Sequence, residues 1–146
     1  MAQSLGISAA EVAFSLRRLK KHHLVNLNEL KINPGAFCEF LIHGVKYVFP
    51  ADIGRLVRGI PTGSSHPTLV KKLRVPPEQV LVWPHPDGEM RGQSLQPIYS
   101  SAPFAAKNDP KLYELLSLLD TIRVGGARET KLASEIIEKL LLKSEK

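Results

Sequence analysis

Apolar residues recur at helical spacing at both ends of this chain and lose that period in its middle. Near the start, Val12, Leu16 and Leu19 fall at i, i+4 and i+7, while Glu11, Arg17, Arg18, Lys20 and Lys21 lie off the stripe. One face therefore packs and the other meets solvent or a charged partner. The limits of this helix are written locally. Leu5-Gly6-Ile7-Ser8 has the composition of a tight turn between two helices, with Gly6 free to take positive φ and Ile7 as an apolar plug. Ser8 opens the helix as its N-cap, and Glu11 three residues later completes a capping box, which predicts a helix over residues 8–21.

Beyond Leu24-Val25, residues 26–31 leave room only for a stub of a two-stranded wing. Asn33-Pro34 reads as an N-cap followed by proline at the first helical position, and Ala36, Phe37, Phe40 and Leu41 give a short buried face ended by Gly44. Residues 45–49 and 56–60 are strand-like runs joined through 50–54, a hairpin carrying Lys46, Arg55 and Arg58 that would serve as the wing proper. Residues 61–65 (PTGSS) form a loop, 67–73 a short helix exposing Lys71 and Lys72, 80–83 a strand and 84–88 a turn. The proline-rich stretch 74–107 is expected to wrap the core as extended segments anchored by Trp83 and Tyr99.

The last third is helical by pattern. Asp109-Pro110 opens a helix with Leu112, Leu115, Leu116, Leu119 and Ile122 on one stripe, and Gly125-Gly126 breaks it. A final helix from about Ala127 carries Leu132, Ala133, Ile136, Ile137, Leu140 and Leu141. Such a pair has more apolar surface than a helical hairpin buries alone, so it caps the core, pairs with a second protomer or receives another protein. The expected fold is α+β, with a helix-turn-helix unit at 1–31 packed on a mixed extension at 32–146 built of a β-hairpin, an irregular segment and a C-terminal helical pair.

At 146 residues and 43% apolar content the chain has material for one compact domain or a small module plus a second. A net charge of +6 suits a polyanionic partner, and its distribution sharpens the point. Residues 1–31 hold five basic against two acidic side chains, 46–74 hold six against one, and 75–127 hold four against six. The single cysteine, Cys38, excludes an intrachain disulfide and sits in an apolar run as a core residue. No stretch is apolar enough for a membrane span or a signal peptide, so no membrane partner and a cytoplasmic location are expected.

Chemistry-bearing patterns are sparse. His22, His23, His43, His66 and His85 form no i, i+4 pair with an intervening acid, so no metal is expected. Gly59 to Ser65 (GIPTGSS) lacks the Lys-Ser/Thr of a nucleotide loop, and no cofactor is expected. Asp87, Glu89, Asp109, Glu114 and Asp120 make no recognisable catalytic pair, and Ser64-Ser65-His66 is not a nucleophile elbow. The chain is not expected to be an enzyme.

The pattern Leu5-Gly6-Ile7-Ser8, Val12, Ser15-Leu16, Arg18-Leu19, Leu24-Val25 resembles the winged helix-turn-helix of bacterial transcriptional regulators of the multiple-antibiotic-resistance (MarR) type, over about a sixth of the chain. The resemblance implies that Ser8 starts a recognition helix, that Ala9, Ala10, Ala13 and Phe14 face base edges in the major groove, and that Arg17, Arg18, Lys20 and Lys21 reach phosphates. None of the four base-facing residues is an Arg, Asn or Gln, so base discrimination should be weak and phosphate contacts dominant. The family's helix before the turn is largely missing from the sequence, so the N-terminal unit should lean on the downstream segment or on another protomer. The runs AFCEFLIHGVKYVFPADIGRLVRGIPT, DPKLYELLSLLD and TIRVGGARE look like the C-terminal part of a group of winged-helix regulators. That likeness implies double-stranded DNA and a homodimer as partners. The alternative is a protein-interaction module, or an antitoxin-like companion of a nucleotidyltransferase-type toxin, with the winged helix structural.

Overall fold

The computed structural model describes residues 2–26, 28–29 and 31–143, and within them the chain is α+β. Helices α1 (Ala2–Leu5) and α2 (Ala9–Lys21) lead into two short antiparallel strands, β1 (Val25–Asn26) and β2 (Lys31–Ile32), with Val25 opposite Ile32. This small hairpin is the expected stub, whose positions 27 and 30 lie outside the described residues. Asn33 then caps α3 (Pro34–Glu39) by accepting from the Ala36 N–H, with proline in the first turn as the sequence requires.

The predicted hairpin over 45–60 does not form. Helix α3 passes through one π-helical turn at Phe40–Gly44, where the Val45 N–H donates to the Phe40 carbonyl, and continues as α4 (Val45–Val48). Val45 and Leu41 are buried on the core face of this continuous rod, so a period of three to four residues wins over the local β-propensity of Val, Tyr and Phe. Lys46 is therefore helical, and Arg55 and Arg58 lie on a strand with other partners.

That strand, β3 (Ile53–Pro61), pairs along most of its length with β5 (Met90–Leu95) and, at Gly59, Ile60 and Pro61, with β4 (Leu81–Pro84). Strands β4 and β5 run parallel, so each of the three touches the other two and the sheet closes on itself. The tight closure needs Gly59, because a Cβ there would drive into the backbone carbonyl of Trp83. The stretch expected to be irregular thus holds two strands and a helix, α6 (Ala102–Asn108). Trp83 is buried as expected, but Tyr99 is 49% exposed rather than a buried anchor.

The core lies under α3, α4, α5 (Pro67–Leu73), α7 (Pro110–Val124) and α8 (Ala127–Leu142), built from Cys38, Leu41, Val45, Leu69, Leu118, Ile122, Ala133 and Ile137. Asp109 caps α7 through the Lys111 and Leu112 N–H groups, and Gly125-Gly126 separate α7 from α8 as the pattern predicts. The burial of α7 is wider than its leucine stripe. Six consecutive residues, Ser117 to Ile122, are buried, because α4, α6, α8 and the turn at Gly63–Ser65 all pack against it. No helix among the described residues is long and apolar enough to cross a membrane.

Candidate nucleic-acid interface

The N-terminal turn is built as the residues demand. Gly6 sits at φ +69°, where an L side chain is strained, and a Cβ there would also press on the Phe104 ring. This contact, with the packing of α1 on α6, is how the N-terminal unit leans on the downstream chain. Ser8 takes extended backbone angles and its Oγ accepts the Glu11 N–H at 3.1 Å, satisfying one orphan donor of α2. The Glu11 carboxylate does not complete the box; it lies 3.6 Å from Arg18 Nη2 in an exposed ion pair, which contributes little to stability.

The other end of α2 closes in a Schellman arrangement. The His23 N–H donates to Lys20 O and the Leu24 N–H to Leu19 O, with His23 in the left-handed region at φ 61°. The adjacent histidines thus serve as the helix terminator. Asn33 Nδ2 donates to the His23 carbonyl, and the Asn33 N–H to Leu24 O, so the cap is tied to the start of α3.

Along α2, Ser8, Ala9, Ala10, Ala13, Phe14, Arg17, Arg18, Lys20 and Lys21 are all exposed, whereas Val12, Leu16 and Leu19 are half-buried. The residues assigned to the groove-facing side are all exposed, Phe14 at 55%, although Arg18 also lines the groove on the inner side of the helix. The arginines are steered by neighbours on the same helix. The Arg17 guanidinium stands 4.8 Å from the Phe14 ring centroid and its Nε donates to Ala13 O, while Arg18 Nη2 donates to Ser15 Oγ. The Glu11 carboxylate offsets part of the Arg18 charge, whereas Arg17 has no ion-pair partner among the described residues. Lys46, Arg55 and Arg58 are also exposed, but they do not share one hairpin.

On its inner side α2 buries no residue completely. A groove of about 610 Å³ runs there, lined by Leu19, Leu24, Phe40, Val48 and Phe49 together with Arg18 and His22. Tyr47, 76% exposed, and Val48 extend the apolar surface nearby.

A second constellation escaped the sequence reading. Asp120 is buried in α7, and its Oδ2 accepts from Thr62 Oγ1 at 2.6 Å and Trp83 Nε1 at 2.7 Å, while its Oδ1 accepts from Arg123 Nη1 at 2.7 Å. Arg123 also donates to the carbonyls of Phe49 and Gln96. Burial pushes the Asp120 carboxyl up, against the opposing pull of these donors. Beside it, Tyr113 donates to Pro61 O at 2.5 Å and meets His66 edge to face, and burial raises its phenol to about 12. His66 Nδ1 accepts the Thr68 N–H, capping α5, and burial lowers its imidazole. Holding three donors out of solvent, the Asp120 carboxylate clasps α7 to β4 and to the loop at Thr62, and Arg123 extends the clasp to the carbonyls of Phe49 and Gln96. The only sequence signal was a charged pair at i, i+3 inside the apolar run LLSLLDTIRV.

No family model matches the chain, and neither a curated protein nor a solved structure does.

Proposed function

We propose that this chain is a bacterial, cytoplasmic DNA-binding transcriptional regulator with a winged helix-turn-helix of the MarR type, in which α2 enters the major groove and phosphate contacts dominate. The observation that carries this reading is the division of α2, whose nine residues assigned to DNA are exposed together while its apolar stripe turns inward. The order turn, capped helix, short hairpin supports it, with β1 and β2 standing where a reduced wing would follow the recognition helix.

Thirteen residues make a helix about 20 Å long, enough to lie along a groove about 12 Å wide. Arg17, Arg18, Lys20 and Lys21 then supply phosphate contacts, and Ala9, Ala10, Ala13 and Phe14 offer apolar contact such as a thymine methyl. Weak base readout is offset by a homodimer that aligns two half-sites one helical turn apart.

Fluorescence anisotropy with the native upstream duplex and a scrambled duplex at two salt concentrations tests the reading. Tighter binding to the native duplex that persists in added salt is expected. Replacing Arg17 and Arg18 by Ala should weaken binding and reduce the salt slope by about one per lost phosphate contact. Unchanged affinity in that variant refutes the regulator reading and favours the protein-interaction or antitoxin-like module, for which the apolar groove beside α2 is the supporting observation.

A further inference from the structure

The antiparallel register of β3 and β5 sets Arg58 directly opposite Arg91. Directly opposed residues hold their Cβ atoms about 5 Å apart, and like charges there destabilise the pair. Both side chains are exposed, and neither forms an ion pair among the described residues, where the ion pairs are Glu11–Arg18 and Asp120–Arg123. Asp87 and Glu89 are close in sequence but form an ion pair with neither arginine within 4 Å. Nor does the backbone relieve the repulsion by slipping. Arg58 O accepts the His85 N–H at 3.1 Å, and the neighbouring Gly59 and Gly92 are wedged against the Trp83 and Val80 carbonyls. Two positions along, the opposed pair Leu56 and Gln93 on the same face brings no charge, and β3 itself carries no acid.

Two arginines set opposite each other by the strand register, neither of them ion-paired, can turn two planar donor forks to one tetrahedral oxyanion. We propose that Arg58 and Arg91 clamp a phosphate of a nucleic-acid backbone, a contact separate from α2. The identity of the polymer rests on the DNA-binding reading; the clamp itself rests on the strand register. The anion turns a repulsive cross-strand pair into a bridged one.

The test uses the full chain and the variants Arg91→Glu and Arg91→Gln, followed by thermal melting with and without inorganic pyrophosphate and by anisotropy with a short labelled duplex. Without anion at low salt, Arg91→Glu should melt a degree or two above wild type, because an opposed Arg–Glu pair attracts. Both variants should lose the rise in Tm that pyrophosphate gives wild type, bind the duplex several-fold more weakly and show a salt slope smaller by about one. A lower Tm for Arg91→Glu together with unchanged pyrophosphate and duplex responses overturns the clamp. A pyrophosphate response that depends on Arg91 beside duplex binding that does not would overturn the nucleic-acid assignment in favour of a free oligophosphate. Duplex binding lost on replacing Arg91 but kept on replacing Arg17 and Arg18 supports the clamp and refutes the role of α2. The reverse pattern keeps α2 and refutes the clamp, and no response of wild type to either probe refutes both.

Discussion

Replacing Arg123 by Leu should be among the most damaging single changes in this protein. The guanidinium is 4% exposed and its partner carboxylate 1%, so neither charge has water to fall back on. Removing it strips one charge-assisted bond at 2.7 Å from Asp120 and single bonds from the carbonyls of Phe49, at 2.8 Å, and Gln96, at 3.1 Å. Breaking one side of a buried pair costs about 3–5 kcal/mol, much of it from the carboxylate left behind. For a chain of this size that lowers Tm by roughly 10 °C. Urea unfolding followed by fluorescence reads it directly, since the single tryptophan, Trp83, donates to the same carboxylate. Arg123→Lys should fall between the two, because an ammonium keeps the charge but lacks the planar fork that reaches three oxygens. Because the pair is buried, the loss should change little with salt. A loss below about 1 kcal/mol for Arg123→Leu would refute the reasoning, since it would mean that Asp120 is adequately held by Thr62 and Trp83 alone.

Two further perturbations test other parts of the fold. His66 must be neutral for Nδ1 to accept the Thr68 N–H, and burial, partly opposed by the charge of Glu114, lowers its pKa from 6.5. Its contribution is therefore fully present above pH 6.5 and lost as pH falls through the lower folded-state value. His66→Asn keeps a capping acceptor without the titration, so its Tm should fall less than wild type's between about pH 7 and pH 5, by an amount on the scale of one cap, about 1 kcal/mol; parallel profiles would count against the cap. Gly59→Ala forces a methyl into the Trp83 carbonyl and should cost about 3 kcal/mol in urea unfolding, with a red-shifted Trp83 emission. Wild-type stability in that variant would show that the closed sheet has slack.

What the sequence determined by itself is what depends on near neighbours. The Gly6 turn, the Ser8, Asn33 and Asp109 caps, the Gly125-Gly126 break and the amphipathic split of α2 are set by residues within a few positions, and each stands where the pattern places it. The burial of Cys38 and Trp83 followed from their apolar surroundings. Tertiary structure decided the rest. Residues 45–48 are locally ambiguous and became helical because Val45 completes a core face begun by Leu41. The three-stranded sheet was illegible because β3 finds its partners some thirty residues away and β4 meets β5 in parallel, pairings for which no turn signal exists. The same reason hid both charged features. Asp120 and Arg123 are a helical pair in sequence, and only folding brings Thr62, Trp83 and two carbonyls around them. Arg58 and Arg91 are unrelated in sequence and become neighbours through strand register alone.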